Sequence, residues 1–300
     1  MENIFERKDV VGRYAKVRGI TPDKVLKQAA NVLLQKVHSA FPKNITFDFM
    51  EAGVGDGRLA VPLAKFLNKE VSLYGADNSR PMLAVLRKHI KHEKVANIKP
   101  VLWDIEKEQS PKNWNNRFHV CILSFLLPHV DNWQKVLDVL SKQVKVGGYL
   151  VFIGEESSLI RMRYDYFKGI ENDPVCQFWQ EYHRLRRNKL SQKGWPTNWG
   201  HSEFVYDISK ARDYLLEKGF RLVRAKGQRN KLLSWARKTS IRVMLEILRC
   251  SDLRMLRWGL DKKERLNLWK AMEIWSKKNN YLSEEYIESL KFNIVLMRKI

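Results

Sequence analysis

The sequence has few cysteines and no long apolar run, and both absences narrow the class of protein. Cys121, Cys176 and Cys250 match no metal-binding or redox spacing, so no metal site is predicted and a reducing cytoplasm is the expected location. No segment approaches the roughly 18 uninterrupted apolar residues of a membrane span. The first residues, MENIFERKDV, lack the apolar core of a secretory signal. We therefore expect no transmembrane segment.

Acidic residues are scarce relative to basic ones, 33 against 55, which gives a formal net charge of +22. Such a charge can attract nucleic acid, an anionic surface or an acidic substrate. The basic residues are spread along the chain, a pattern that is equally typical of a solvated lysine-rich surface. The densest basic stretch runs from Arg221 to Arg257, with Glu246 and Asp252 as its acids.

Repeats and low-complexity linkers are also missing, and strand-like and helix-like segments alternate through residues 45–155 instead. This alternation predicts an α/β fold with a parallel sheet and helices on both faces, so that the carboxyl ends of the strands share one ligand-binding edge. The predicted organisation is an N-terminal helical cap (1–44), a core (45–156), a helical lid or substrate insertion (157–204), continued core (205–229), a basic and mostly helical insertion (230–290) and a final core strand (291–300).

The most informative motif follows the first predicted strand, in the stretch FMEAGVGDGRLAVPLAKF (49–66). A dinucleotide fingerprint has the spacing G-x-G-x-x-G, whereas Gly53, Gly55 and Gly57 alternate with other residues. A phosphate-binding loop of the Walker type needs Gly-Lys-Ser/Thr, which is absent. The carboxylate of Glu51 repels phosphate but favours a ligand that carries positive charge. A plain strand-to-helix turn is the alternative interpretation of these glycines.

Five motifs in order resemble the class I S-adenosylmethionine (SAM)-dependent methyltransferases, in the small-molecule branch similar to types 11 and 12. They are E-x-G-x-G-x-G at 51–57, Asp77 at the end of VSLYGAD, Asp104-Ile105 after the third strand, SFLLPHVDNW at 124–133, and VKVGGYLVF at 144–152. The resemblance implies a doubly wound, mostly parallel seven-stranded Rossmann-like sheet with helical insertions. It also implies S-adenosyl-L-methionine as the cofactor.

The resemblance assigns roles to residues at the strand ends. Asp77 is expected to bind the ribose hydroxyls, Asp104 to lie near the adenine amino group, and Met82 and Ile105 to flank the adenine. The complete predicted cofactor site is Glu51, Gly53, Gly55, Gly57, Asp77, Asn78, Met82, Asp104, Ile105 and Ser124. For Asp77 and Asp104 taken singly, a capping or turn role is the alternative.

Catalytic residues are harder to identify, because methyl transfer from a sulfonium needs mainly alignment and exclusion of water. His129 follows the fourth strand and is the first candidate base, since histidine accepts a proton near neutral pH. His201 and Tyr206, in the aromatic loop WPTNWGHSEFVY, are further candidates. A packing or capping role is the alternative for His129, and an aromatic-pinned connection is the alternative for the loop.

Three functions remain open from the sequence. The favoured one is methylation of an O or N nucleophile on a small molecule, because the Asn/Asp-Pro-Pro-aromatic run of nucleic-acid amino-methyltransferases and the Pro-Cys nucleophile of cytosine-C5 enzymes are both missing. The second is an RNA or protein methyltransferase that docks through the basic 221–257 region. The third is a SAM-binding partner subunit without catalysis. The apolar and basic faces of the 230–290 segment also fit a homodimer contact or an anionic membrane surface.

Overall fold

The structure is a computed structural model that describes residues 22–42, 44–67, 70–107, 109–124, 126–156, 174–194, 208–223, 233–249, 259–283 and 285–300. Its strands are β1 (Phe47–Ala52), β2 (Val71–Asp77), β3 (Ile98–Leu102), β4 (Phe118–Ser124), β5 (Val144–Glu156), β6 (Phe220–Leu222), β7 (Leu233–Ser240) and β8 (Glu285–Lys299). Its α-helices are α1 (Asp23–Ala40), α2 (Ala60–Leu67), α3 (Arg80–His92), α4 (Trp133–Gln143), α5 (Pro174–Gln192), α6 (Ile208–Glu217), α7 (Ile241–Arg249) and α8 (Lys262–Lys278).

The strands form one sheet in the order β3-β2-β1-β4-β5-β8-β6, with β7 paired to β8 beside this path. β1 to β5 pair in parallel, and β8 is antiparallel to its three neighbours. The predicted doubly wound, mostly parallel sheet of seven strands is therefore confirmed, and β7 is an addition to it. The carboxyl ends of the five parallel strands lie along a single edge.

Two apolar layers cover the sheet because successive side chains of a strand point to opposite faces. In β5, Tyr149 and Val151 pack in the layer that contains α1, α2 and α3, whereas Leu150 and Phe152 pack in the layer that contains α4 and α6. β4 is buried on both faces, as expected for a central parallel strand.

A third group of buried apolar residues lies among α5, α7 and α8. We call these three helices and their shared core the helical cluster. Its buried residues are Phe178, Trp179, Tyr182, Leu190, Ile241, Met244, Leu245, Leu248, Leu260, Leu268 and Met272. None of the helices in the described part of the chain has the length and hydrophobicity that a bilayer crossing requires.

The segment predicted to be mostly helical, 230–290, differs in part from that expectation. Residues 233–240 form β7, and β8 begins at Glu285 rather than near residue 291. The two strands pair over their full overlap, from Leu233 opposite Phe292 to Ser240 opposite Glu285. Main-chain pairing decides the conformation here, since tertiary pairing overrides the weak helical preference of a short segment. Whether the predicted domain boundaries are functional units stays a prediction.

Candidate active site

The loop between β1 and α2 is built on three glycines with left-handed backbone. The φ angles of Gly53, Gly55 and Gly57 are 70°, 57° and 80°, a region that glycine adopts without a Cβ penalty. A Cβ on Gly57 would lie 2.2 Å from Cδ1 of Leu86, and one on Gly53 would lie 2.7 Å from Cδ1 of Leu126. A Cβ on Gly55 would meet no atom within 4 Å. The outer glycines therefore permit close packing, while Gly55 leaves its backbone open to a ligand.

Asp77, at the end of β2, holds this loop in place. Its Oδ2 accepts a hydrogen bond from the backbone N–H of Gly55 at 2.8 Å, and its Oδ1 accepts one from that of Ser79 at 2.8 Å. The N–H of Gly53 also donates to the carbonyl of Ala76 at 2.8 Å. The predicted loop and the predicted ribose-binding carboxylate are thus in direct contact.

Glu51 brings a buried carboxyl group to the same place. Its side chain is 2% exposed, and no described residue donates a hydrogen bond to its Oε2. Burial raises the pKa of Glu51 well above its usual range, and the nearby charges of Asp56 and Asp77 raise this pKa further. A buried acceptor in this state is costly without a donor, so the site favours a ligand that brings a positive or hydrogen-bonding group.

The loop after β3 lies beside the end of β2. Nδ2 of Asn78 donates to Oδ2 of Asp104 at 3.4 Å, and the backbone N–H of Glu106 donates to Oδ1 of Asp104 at 3.1 Å. The ammonium of Lys107 lies 3.5 Å from Oδ2 of Asp104. The structure therefore brings together Asn78 and Asp104, which the sequence placed at two separate strand ends.

The two predicted adenine-flanking residues are both buried. Met82 lies in the first turn of α3, where its N–H donates to the hydroxyl of the N-cap residue Ser79 at 3.1 Å. Ile105 belongs to the apolar layer that also contains Trp103 and Trp114. Both residues follow strands that end at the ligand-binding edge.

Ser124 and His129 lie on the other side of the glycine loop. Ser124 is the last residue of β4, and His129 ends a 3₁₀ turn, Leu127–His129, in which its N–H donates to the carbonyl of Leu126 at 2.8 Å. Leu126 is the residue that packs on Gly53. The residue directly before the turn that carries the candidate base is therefore in contact with the predicted cofactor loop.

The other two candidate catalytic residues, His201 and Tyr206, lie outside the described residues. Among those described, no group of three metal-binding side chains is close enough to share an ion. Sequence reasoning missed Asp56, Leu126 and Glu106. The dipeptide Asp56-Gly57 is a turn signal that points to Asp56, but the roles of Leu126 and Glu106 depend on contacts between distant segments.

Comparison with known proteins finds a family match over one part of the chain. Residues 49–148 match the family described as Methyltransferase domain. A search of curated proteins found no significant match to the sequence.

Several solved structures are similar to the chain at low identity. The YcgJ protein of Bacillus subtilis is 13% identical with a TM-score of 0.48, over 90% of this chain and 99% of that one. A SAM-dependent methyltransferase from Aquifex aeolicus is 17% identical with a TM-score of 0.41, over 68% and 91%. Phosphoethanolamine N-methyltransferase 2 of Haemonchus contortus, bound to phosphomonomethylethanolamine and S-adenosylhomocysteine, is 14% identical with a TM-score of 0.43, over 90% and 52%. This chain spans about half the length of the Haemonchus protein, and values this low carry no information on substrate.

Proposed function

We propose, from the match of residues 49–148 to the family described as Methyltransferase domain and from the motifs that resemble class I SAM-dependent enzymes, that the chain transfers a methyl group to an O or N nucleophile of a small molecule. The observation that carries the proposal is the buried Glu51 carboxyl beside the open backbone of Gly55 and the carboxylate of Asp77. These groups suit a ligand that carries an ammonium, a sulfonium and ribose hydroxyls.

In this proposal, the residues at the carboxyl edge contact different parts of the cofactor. When bound, SAM supplies a methyl group on a positively charged sulfur. Asp77 keeps lone pairs for the ribose hydroxyls while it holds Gly55, because each carboxylate oxygen accepts more than one hydrogen bond. Glu51 offers its oxygens to the positive end of the ligand, and Met82 and Ile105 provide apolar surface beside the base.

The position of the helical cluster supports a cover over the acceptor. β5 ends at Glu156, opposite Lys291, whereas β8 starts at Glu285 and so projects beyond the carboxyl edge. β7 pairs with this projection and reaches its far end at Ser240, where α7 begins. The helical cluster is therefore connected to the sheet at the same edge as the predicted cofactor loop. A lid in this position would exclude water from the reaction.

His129 is proposed as the base that takes a proton from the acceptor. Its turn follows β4 and touches the glycine loop through Leu126. A hydroxyl acceptor loses its proton as the C–O bond forms and the methyl–sulfur bond breaks, whereas an ammonium acceptor must lose one beforehand to free its lone pair. A histidine can receive either proton near neutral pH. His201 and Tyr206 stay candidates on sequence grounds.

A homodimer through the helical cluster is part of this proposal. Leu266 and Ile274 are 45% and 67% exposed and lie two turns apart on α8, so they share one face of the helix. Light scattering of the wild type and of the double variant Leu266→Lys/Ile274→Lys tests it, and a wild-type monomer contradicts it.

Two measurements test the proposed function. Calorimetry with SAM should show binding that Asp77→Ala weakens by about 1–3 kcal/mol, the scale of hydrogen bonds to a charged acceptor. The SAM affinity of Asp77→Asn should lie between those of the wild type and Asp77→Ala, because one amide oxygen replaces two carboxylate oxygens. Unchanged affinity in Asp77→Ala would remove this carboxylate from the site.

Incubation with radiolabelled SAM and fractionated cell extract identifies the acceptor class. The proposal expects label in the small-molecule fraction. Label that nuclease or protease releases would instead establish an RNA or protein substrate, and binding of S-adenosylhomocysteine (SAH) with no label in any fraction would indicate a partner subunit without catalysis.

A further inference from the structure

Glu106 joins two loops that flank the cofactor site. It lies two residues after Asp104, and its backbone N–H donates to Oδ1 of Asp104 at 3.1 Å. Its side chain reaches the segment after β4, where Oε1 accepts the N–H of Asp131 at 2.7 Å and that of Asn132 at 2.8 Å. One half-buried carboxylate thus bridges segments 25 residues apart.

We call these contacts of Glu106 the bridge, and the charge of its carboxylate strengthens its two short hydrogen bonds. Asn132 is the N-cap of α4, and its Oδ1 accepts the N–H of Lys135 at 2.9 Å. The Glu106 carboxylate therefore lies at the positive end of a helix dipole and accepts two charge-assisted hydrogen bonds. The ammonium of Lys135 completes the bridge with a hydrogen bond to the carbonyl of Glu106.

The two ends of the bridge carry different parts of the proposed site. At one end, Asp104 and Ile105 form the predicted adenine side. At the other, Asp131 comes two residues after His129, and the intervening turn is tied internally by the bonds from His129 to Leu126 and from Val130 to Leu127. Glu106 therefore links the Asp104 loop by hydrogen bonds to the residues that directly follow the turn of His129.

We infer that Glu106 is a positioning residue that couples cofactor binding on the adenine side to the placement of the His129 turn. The inference rests on the proposed function, and it predicts a response to ligand that a simple helix cap would not give. Binding at Asp104 orders the loop that ends in Glu106, and Glu106 in turn orders the backbone amides of residues 131 and 132.

Amide hydrogen exchange of the full-length protein, with and without SAH, tests the coupling. In the wild type, SAH should slow exchange in peptides that cover residues 126–135. In Glu106→Ala, SAH should still bind, while exchange of this segment becomes about tenfold faster, the scale of losing a hydrogen bond to a charged acceptor, and no longer responds to SAH. Glu106→Gln keeps an acceptor oxygen at the same reach and should retain the response.

Two further variants separate coupling from general destabilisation. Glu273→Ala removes a partly exposed carboxylate that pairs with Lys277 on α8, and it should leave the response unchanged. Lys135→Ala removes the third contact of the bridge and should reduce the response without abolishing it, which keeps the test valid if Glu106→Ala folds poorly. SAH protection of 126–135 in Glu106→Ala equal to that of the wild type overturns the inference, as does SAH binding to the wild type without protection there. Absence of SAH binding to the wild type overturns the proposed function itself.

Discussion

Two regions of the molecule are built in opposite ways. They are the edge at the carboxyl ends of β1 to β5, which carries the proposed cofactor site, and the helical cluster. At the edge, short motifs at the ends of successive strands supply the predicted site residues, and Asp77 holds the loop from Glu51 to Gly57 from the adjacent strand. The cluster is assembled from residues 174–192, 241–249 and 262–278, which meet only in the fold. It also encloses Arg186, which has no exposed surface. The predicted cofactor site is thus encoded in short local motifs, while the proposed acceptor cover depends on long-range packing.

The largest expected effect separates the two regions. Phe178 is fully buried and meets the rings of Trp179 and Trp275 edge to face, with centroids 5.3 Å and 6.4 Å apart. Phe178→Ala should destabilise the helical cluster by about 3–5 kcal/mol, because it leaves a cavity, while the affinity for SAM stays near that of the wild type. Chemical denaturation and calorimetry measure the two effects.

The exposed residue Leu216 on α6 offers a control that the proposed dimer contact does not involve. Leu216→Ala should change the free energy of unfolding by less than about 0.5 kcal/mol. If Phe178→Ala weakens SAM binding in parallel with stability, the two regions form one cooperative unit and the comparison fails.

A second pair of variants divides the roles within the glycine loop. Gly57→Ala places a Cβ 2.2 Å from Cδ1 of Leu86 and 2.9 Å from Cγ2 of Val61, and should cost about 3 kcal/mol of stability through overpacking and left-handed strain. Gly55→Ala meets no neighbour and should cost about 1 kcal/mol, but it should obstruct the ligand and weaken SAM binding. Equal stabilities of the two variants by thermal denaturation would show that the packing argument is wrong.

The sequence predicted the parallel sheet well because the signals for it are local. Strand-helix alternation indicated the parallel units, and the positive φ angles of the three glycines are a conformation that suits their residue type. β7 was not predicted, since it forms by pairing with β8. Leu126 and Glu106 were missed for the same reason, because a packing contact on Gly53 and a bond across 25 residues leave no mark on local spacing.

The sheet and the helical cluster each contain a histidine that should respond to pH, the buried His119 and the partly buried His183. Burial, together with the charge of Lys145, lowers the pKa of His119 in the sheet to about 4, and burial with Arg186 and Arg187 lowers the pKa of His183 in the cluster to about 3. Below pH 6.5 the unfolded chain takes up protons that the folded chain refuses, so stability should fall as the pH drops from about 6.5 toward 4.

Single variants identify which region responds to acid. His119→Asn keeps an acceptor for the N–H of Asp48, and His183→Phe keeps the ring beside Trp179. Each should remove about 2–3 kcal/mol of the acid-induced loss, measured by denaturation at pH 4 and pH 7. An unchanged pH dependence in both variants would assign the acid sensitivity to other groups.

The smallest expected effect is the pH dependence of stability that Glu51 causes, and it has the opposite sign to that of the two histidines. Because the pKa of Glu51 is raised in the folded protein, the folded chain keeps a proton above pH 4.5 that the unfolded chain releases. Stability of the ligand-free protein should therefore fall as the pH rises from 4.5 toward the raised pKa. Glu51→Gln should remove this decline and stabilise the protein at pH 7 by about 1 kcal/mol, near the lower cost of an unsatisfied buried group.

The same variant should bind SAM more weakly, because the amide no longer offers a negative charge to the ligand. A gain in stability with a loss of affinity would identify Glu51 as a carboxylate kept for binding at the expense of the ligand-free fold. Denaturation from pH 4.5 to pH 8 and calorimetry at pH 7 provide the two readings. If Glu51→Gln is less stable than the wild type at pH 7, the buried carboxyl stabilises the fold itself and is not kept for ligand binding alone.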